Sequence, residues 1–197
     1  MSYRINEIFY SLQGEGFRAG SPNVFIRFAG CNLTCGFCDT EFESGTEMSA
    51  AEIAHKAKEL MPEMTAVILT GGEPLLQYDQ AFFNALRAEG VDMIACETNG
   101  SMPAKAHLDW IACAPKVAEH VVKQNFPDGV SELRYARHEG QALPCPAVSS
   151  IAKFLCPIYN GDQLDRKNLE HCIRLIKDHP GEGWRLSVQQ HKAWRVR

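Results

Sequence analysis

The stretch VFIRFAGCNLTCGFCDT, residues 24–40, joins a run of strand-forming residues to a loop that carries three cysteines. Residues 24–28 are apolar or β-branched apart from Arg27, which predicts a β-strand. Gly30 opens the irregular loop that follows this strand. A strand that ends in a loop of chemically reactive side chains is typical of α/β proteins with parallel sheets.

Outward from this stretch, short apolar runs alternate with helical patterns. Strands are predicted at 24–28, 66–70, 93–97, 110–114, 132–136, 153–158 and 185–188. Helices are predicted after Ser49, which forms a capping box with Glu52, and at 79–89 and 165–178. The segments 117–130 and 137–150 receive no assignment. The alternation predicts parallel strands joined by helical crossovers.

Polar or glycine-rich clusters follow strand after strand, where the active sites of parallel α/β folds collect. A closed (β/α)8 barrel typically needs about 250 residues. The chain has 197 residues, so we expect a shortened, open, TIM-like α/β barrel formed by a single domain, residues 1–197. The cysteine loop is then the loop after the first barrel strand.

Composition narrows the class of protein. The net charge of −4 gives no general basic surface, so we expect no nucleic-acid partner. The first residues do not resemble a signal peptide, and no apolar run approaches the roughly 20 residues that span a bilayer, so we expect no membrane partner and a cytoplasmic location. The chain has eight cysteines. The five outside the loop are expected to be inert, namely Cys96, Cys113, Cys145, Cys156 and Cys172.

Cys31, Cys35 and Cys38 place three thiolates within reach of one centre. A [4Fe–4S] cluster usually has four cysteine ligands, so three would leave one iron open to another molecule. A structural zinc site would need a fourth ligand, and no cysteine or histidine lies near in sequence. A dithiol redox centre is the third alternative, and spacing alone leaves all three open while favouring iron and sulfide.

The spacing of Cys31, Cys35 and Cys38 resembles the CxxxCxxC signature of the radical S-adenosylmethionine (radical SAM) enzymes. GGEP at 71–74 is similar to the GGE motif of that superfamily. ETNG at 97–100 resembles the region that, in the superfamily, contacts the ribose and methionine parts of the cofactor. The flanking segments resemble the 7-carboxy-7-deazaguanine synthases. These segments are SLQGEG at 11–16, FIRFAGCNL at 25–33, CDT at 38–40 and SVQQHK at 187–192.

The resemblance implies a reaction. The family converts 6-carboxy-5,6,7,8-tetrahydropterin to 7-carboxy-7-deazaguanine with loss of ammonia, on the route to queuosine. A radical made from S-adenosylmethionine removes a hydrogen from C6 of the pterin, the ring contracts, and the hydrogen returns to the cofactor. The implied cofactors are a [4Fe–4S] cluster, S-adenosylmethionine and Mg²⁺, and the implied partners are a reductant protein such as a flavodoxin and a second copy of the chain in a homodimer.

The resemblance also implies a role for particular residues. Cys31, Cys35 and Cys38 would ligate the cluster, and Thr40 would bind Mg²⁺. The residues implied to bind S-adenosylmethionine are Phe37, Cys38, Asp39, Gly72, Glu73, Glu97, Ala114, Pro115, Lys116, Cys156, Pro157, Ile158 and Tyr159. The residues implied to bind the pterin are Leu12, Gln13, Gly14, Arg27, Thr70 and Arg197. Ala114 stands where the family has serine, and Cys156 where it often has glutamine.

Two other functions compete with this one. A radical SAM activase that generates a glycyl radical on a partner protein would share the cluster and the GGE motif. An activase function would not explain why Arg27 and Thr40 are present at these positions. A zinc-stabilised binding module, with a distant histidine as fourth ligand, would be no enzyme at all.

Overall fold

The computed structural model describes residues 2–36, 38, 40–63 and 66–197. These residues form one nine-stranded sheet with the strand order β3-β1-β2-β4-β5-β6-β7-β8-β9. The strands are β1 (Ser2–Leu12), β2 (Pro22–Phe28), β3 (Thr46–Ser49), β4 (Ala66–Gly71), β5 (Met93–Thr98), β6 (Trp110–Cys113), β7 (Val130–Arg137), β8 (Ser150–Pro157) and β9 (Trp184–Leu186). The helices are α1 (Ala50–Leu60), α2 (Gln80–Ala88), α3 (Glu119–Asn125), α4 (Arg166–Asp178) and α5 (Gln190–Trp194).

Every strand from β2 to β9, apart from the short β3, pairs in parallel with its neighbours in this series. The edge strands β3 and β9 lie at opposite ends of the sheet, which is therefore open. The prediction of a shortened, open α/β barrel is confirmed. The cysteine loop follows β2, the first of the parallel strands, as expected.

Two features of the fold differ from the prediction. Strands β1 and β3 were not predicted, and they add an antiparallel edge beside β2. The pairing of β1 with β2 shifts register between Ile5 and Glu7, which interrupts the apolar alternation by which a strand is recognised. The helices also differ: α3 and α5 were not predicted, and loops alone, rather than the helical crossovers that the alternation implies, join β5 to β6 and β7 to β8 in the described chain.

Side-chain caps fix where helices α1 and α2 begin, and the capping box of α1 was predicted. Ser49 accepts a hydrogen bond from Glu52 N at 3.3 Å, and the Glu52 carboxylate accepts one from Ser49 N at 2.7 Å, which completes the capping box of α1. Asp79 caps α2 and also accepts a hydrogen bond from the Tyr3 hydroxyl at 2.6 Å. This contact ties β1 to the helical layer. Among the described residues, no helix is long and apolar enough to cross a bilayer.

Alternation along the strands divides the sheet into two unlike faces. One face packs against the helices and forms the main core, with Val24, Ile26 and Phe28 of β2 fully buried in it. The opposite, concave face carries a small second hydrophobic cluster, which lies towards the amino-terminal ends of the parallel strands. This second cluster contains Phe9, Phe25, Ile68 and Ala95, with Trp110 packed against it. Above it, towards the carboxyl ends of the strands, the residues on this face become polar.

A core substitution tests this packing. Leu69 of β4 is fully buried in the main core, so Leu69→Ala should lower the free energy of unfolding by about 2–5 kcal/mol through lost burial and a cavity. Leu164→Ala is the matched control, because Leu164 is 40% exposed and should change that energy by less than about 0.5 kcal/mol. Denaturant unfolding of both variants measures the difference, and equal losses would contradict this assignment of the core.

Candidate active site

A cavity of about 630 Å³ lies at the carboxyl ends of the parallel strands, between those ends and the cysteine loop. Most residues that were predicted for the site line it. They are Cys31, Cys35, Cys38, Thr40, Thr70, Gly72, Glu97, Ala114, Lys116, Cys156, Pro157, Ile158 and Tyr159. Predicted residues Phe37 and Asp39 lie outside the described part of the chain. The cavity volume falls in the range of small-molecule sites.

The cysteine loop surrounds one side of the cavity. Gly30 N donates to Phe42 O at 2.7 Å and closes the loop, and Asn99 Nδ2 donates towards Cys31 Sγ at 3.9 Å. Among the described residues, no three His, Cys, Asp or Glu side chains converge on a single metal-ion position. A four-iron cluster binds each thiolate through a different iron, so it needs thiols spread around a space. Three thiols that line one cavity fit that requirement.

The Gly71-Gly72 turn lies directly against the start of the cysteine loop. Gly72 N donates to Phe28 O at 3.2 Å, and Glu73 N donates to Gly30 O at 3.0 Å. A Cβ atom at Gly72 would lie 2.0 Å from Gly30 O and 3.0 Å from Cys31 Cβ. Only glycine therefore allows this close backbone approach, which explains the glycine on steric grounds.

The Glu73 side chain turns away from the cavity and is fully buried. Its carboxylate accepts hydrogen bonds from Leu75 N at 3.1 Å, the Thr98 hydroxyl at 3.0 Å and Asn99 N at 2.7 Å. Burial raises the pKa of Glu73, and these hydrogen bonds offset part of that effect. The carboxylate thus fastens the end of β5 to the end of β4, and it leaves the backbone of the GGE turn to face a ligand.

A polar network forms the floor of the cavity around Glu97. Its carboxylate accepts hydrogen bonds from Gln13 Nε2, the Thr70 hydroxyl and Arg134 Nη1, each at 2.9 Å. Burial alone would raise the pKa of Glu97, but attraction to Arg134 and the hydrogen bonds outweigh it and lower that pKa. Glu97 is therefore held as a carboxylate that faces the cavity.

Arg134 and Glu15 line the cavity but were not predicted as site residues. Arg134 is 7% exposed and bonds to the buried carboxylate of Glu132 as well as to Glu97. The available signal in the sequence was the pair Glu132 and Arg134 at alternate positions of a predicted strand, which puts two charges on one face. Charges at such positions are rare in a sheet unless they are paired or functional.

Arg27 and Arg197, both predicted to bind the pterin, lie together beside β1 and outside the cavity lining. Arg27 Nε is 2.9 Å from one oxygen of Glu7, and Arg197 Nη2 is 2.8 Å from the other. Both guanidinium groups lie over the ring of Phe9, at 5.6 and 5.5 Å. Arg27 is the register partner of Thr70, which does line the cavity. The two arginines thus flank the cavity on the side of β1.

The segment of Leu12, Gln13 and Gly14 meets the last part of the chain. Gln190 N donates to Gly14 O at 3.0 Å, and a Cβ atom at Gly14 would lie 2.0 Å from His191 Nδ1. Gln13 reaches the cavity floor through Glu97. The two regions that carry the densest sequence motifs therefore form one rim of the site.

The remaining predicted residues form the opposite rim. Backbone hydrogen bonds from Ala114 N to Thr98 O at 2.8 Å and from Lys116 N to Asn99 O at 3.0 Å fix the segment around Pro115, which does not itself line the cavity. The Tyr159 hydroxyl accepts a hydrogen bond from Gln189 N at 3.1 Å. These contacts hold the loop after β6 against the end of β5, and the loop after β8 against the segment after β9.

All eight cysteines are unpaired. Burial raises the pKa of Cys113 to about 12 and that of Cys172 to about 11, so both thiols stay protonated near neutral pH. Burial also raises the pKa of Cys156, which lines the cavity. Protonated thiols are poor nucleophiles and poor metal ligands. The expectation that these cysteines are inert stays a prediction.

Comparison with known proteins gives consistent results. A profile of the Radical SAM superfamily matches residues 25–126. A 7-carboxy-7-deazaguanine synthase of Bacteroides thetaiotaomicron is 39% identical over 199 residues, with 100% of both chains covered. One of Burkholderia multivorans is 40% identical over 217 residues, again with 100% of both covered. The crystal structure of QueE from Escherichia coli superposes with a TM-score of 0.74 at 22% identity, covering 97% of this chain and 95% of that one.

A substitution at Gly72 tests the close approach of the two loops. Gly72→Ala should lower the free energy of unfolding by about 1–3 kcal/mol, because the added methyl group meets backbone atoms that cannot move aside cheaply. It should also lower the iron and sulfide bound per chain after anaerobic reconstitution. Gly181→Ala is the control, since an added Cβ there meets no atom within 4 Å. Iron content equal to that of the parent protein in Gly72→Ala would contradict the proposed fit.

Proposed function

Since the chain belongs to the family of 7-carboxy-7-deazaguanine synthases within the radical SAM superfamily, we propose that it converts 6-carboxy-5,6,7,8-tetrahydropterin to 7-carboxy-7-deazaguanine with release of ammonia. This is a step of queuosine biosynthesis. The structural observation that carries the proposal is one cavity in which three thiols face a floor of ordered polar groups. Its volume of about 630 Å³ falls in the size range of small-molecule and cofactor sites.

The family implies a [4Fe–4S] cluster and S-adenosylmethionine, and the described residues fit both. Cys31, Cys35 and Cys38 would hold the cluster and leave its fourth iron for the cofactor. When bound, the cluster supplies the one-electron reduction of S-adenosylmethionine that starts radical chemistry. The backbone at Gly72 would face the methionine part of the cofactor, and Glu97 would provide a fixed carboxylate beside it.

The remaining binding roles follow the two rims of the cavity. The cofactor would also contact Phe37, Asp39, the segment 114–116 and the segment 156–159. We propose that the pterin lies on the side of β1, where Gln13 and Thr70 present hydrogen-bonding groups and Arg27 presents a guanidinium to the substrate carboxylate. Leu12, Gly14 and Arg197 complete that side. Thr40 would bind Mg²⁺, a hard ion that readily takes other ligands from substrate oxygens and water.

Partners and location are proposed on the same basis. Cys38 is exposed, so a cluster there would lie within reach of a reductant protein such as a flavodoxin. The eight unpaired cysteines suit a reducing compartment, which supports a cytoplasmic location. The proposal of a homodimer rests on the family resemblance. An activase or a zinc module is not favoured, because relatives that match over the full chain are named as synthases.

The reaction is tested on protein reconstituted with iron and sulfide under anaerobic conditions. With dithionite, S-adenosylmethionine, Mg²⁺ and 6-carboxytetrahydropterin, we expect 7-carboxy-7-deazaguanine by mass spectrometry while S-adenosylmethionine is largely spared. Reactions without the cluster or without S-adenosylmethionine are the controls. Cleavage of the cofactor without product would favour the activase, and zinc without iron or sulfide in anaerobically purified protein would favour the binding module.

Arg27→Ala tests whether Arg27 binds the carboxylate of the pterin. Loss of charge-assisted hydrogen bonds to a carboxylate should raise KM for the pterin by roughly 10- to 100-fold and change kcat far less, because the contact is present before and during reaction. Arg166→Ala is the control, since Arg166 is 81% exposed and pairs with Glu170 on the surface. An unchanged KM in Arg27→Ala would remove Arg27 from the binding site.

A further inference from the structure

Arg134 lies in the middle of β7, on the concave face, with 7% of its surface exposed. Its Nη1 donates to Glu97 at 2.9 Å, its Nε donates to Glu132 at 3.0 Å, and its Nη2 donates to the backbone oxygen of Glu15 at 3.3 Å. The Glu15 carboxylate is 3.9 Å from Nη1. One planar guanidinium thus connects a cavity carboxylate, a buried carboxylate and the loop after β1.

Arg134 fixes the direction of Glu97 together with two other donors. Gln13 reaches the same carboxylate from the loop after β1, and Thr70 reaches it from β4. Three donors from three separate elements leave Glu97 a single orientation, with 28% of its side chain exposed to the cavity. Of these donors, Arg134 carries the only full positive charge.

The same arginine secures the loop that covers the floor. Glu132, which Arg134 neutralises, accepts a hydrogen bond from Phe17 N at 2.7 Å. A Cβ atom at Gly16 would lie 2.5 Å from Glu132 Oε2 and 2.6 Å from Arg134 Nε. The loop therefore packs its backbone against the ion pair with no space between them.

We propose that Arg134 is a positioning residue for the reaction, which orients the Glu97 carboxylate into the cavity and clamps loop 13–17 over its floor. The inference rests on the proposed function, because it takes Glu97 to face the bound cofactor and substrate. It assigns no chemical step to Arg134. Without its cation, Glu97 would remain in place but would protonate more easily and lose its fixed direction.

The pH dependence of Glu97 involves several neighbouring groups. Arg134 is the dominant neighbouring charge. Other titratable groups around the carboxylate are Glu15 and Arg18 from the loop after β1, Glu132 from β7, Cys96 from β5 and Lys116 at the cavity wall. Glu15 and Glu132 are negative, so their repulsion adds to the effect of removing Arg134. The folded-state pKa of Glu97 should rise when Arg134 is replaced by a neutral residue.

The test compares Arg134→Met, Arg134→Lys and the control Arg137→Met, which removes a guanidinium from the same strand but from a residue bonded to Ala136 O and Ala142 O. For Arg134→Met, we expect the acid limb of kcat/KM to move up by about 1–3 pH units. We also expect kcat to fall by about tenfold or more through misplaced groups. Arg137→Met should keep the acid limb of the parent.

A second readout does not depend on turnover. Hydrogen exchange of the Phe17 amide, followed by mass spectrometry or NMR, should become about tenfold faster in Arg134→Met, because its acceptor Glu132 loses its counter-ion. Arg134→Lys keeps the charge but not the planar fork, so it should keep the acid limb of the parent while exchange at Phe17 still accelerates. If Arg134→Met fails to fold, Arg134→Lys still tests the clamp, and Arg134→Gln, which also removes the charge, replaces Arg134→Met in the measurement of the acid limb.

The outcomes separate the two proposals. A parent enzyme that forms no product from the pterin contradicts the proposed function, and the exchange data still test the clamp. An active parent together with an unchanged acid limb in Arg134→Met overturns the positioning role of Arg134. Exchange at Phe17 in Arg134→Lys that equals the exchange in Arg137→Met overturns the clamp.

Discussion

The pleat of a parallel sheet is the constraint on which the rest of this structure depends. Because neighbouring side chains point to opposite faces, each strand must serve the helix-packed core with one set of residues and the concave face with the other. Ile26 and Leu69 lie in the core, while their neighbours Arg27 and Thr70 lie on the concave face. The concave face is apolar where the parallel strands begin and polar near their carboxyl ends. A cavity with hydrogen-bonding walls therefore forms next to an apolar cluster.

Buried polar groups on such a face must form hydrogen bonds or ion pairs with one another. Glu132 is fully buried and Arg134 nearly so, and burial of either charge alone would be strongly unfavourable. Arg134 pairs with Glu132 and also contacts Glu97 and Glu15, so these side chains form the ordered floor of the cavity. Glu73 meets the same requirement differently, since backbone amides and a hydroxyl surround its carboxylate. Both arrangements hold neighbouring strand ends in place, and these strand ends carry the ligand-facing residues.

Much of the fold was predictable because the parallel strands are short, apolar and followed by glycine or polar residues. All seven predicted strands are present with ends within three residues of the prediction. Strand β1 escaped prediction because its register shift breaks the alternation of apolar residues. In the site, predicted residues such as Cys31 and Thr70 line one cavity, while their binding roles stay predictions. Arg134 was missed because the sequence does not show which ion pairs a tertiary fold brings together.

The contact between the loop after β1 and residues 187–191 has a consequence for how the protein is made. Gly14 and Gly16 are bonded to Gln190 and Ser187, which are separated from them by most of the chain. On the ribosome, the first part of the rim is synthesised long before its partner, so a nascent chain that already has its central strands still has an incomplete site. The rim of the cavity is therefore complete only after residues 187–191 have been synthesised and have folded against Gly14 and Gly16.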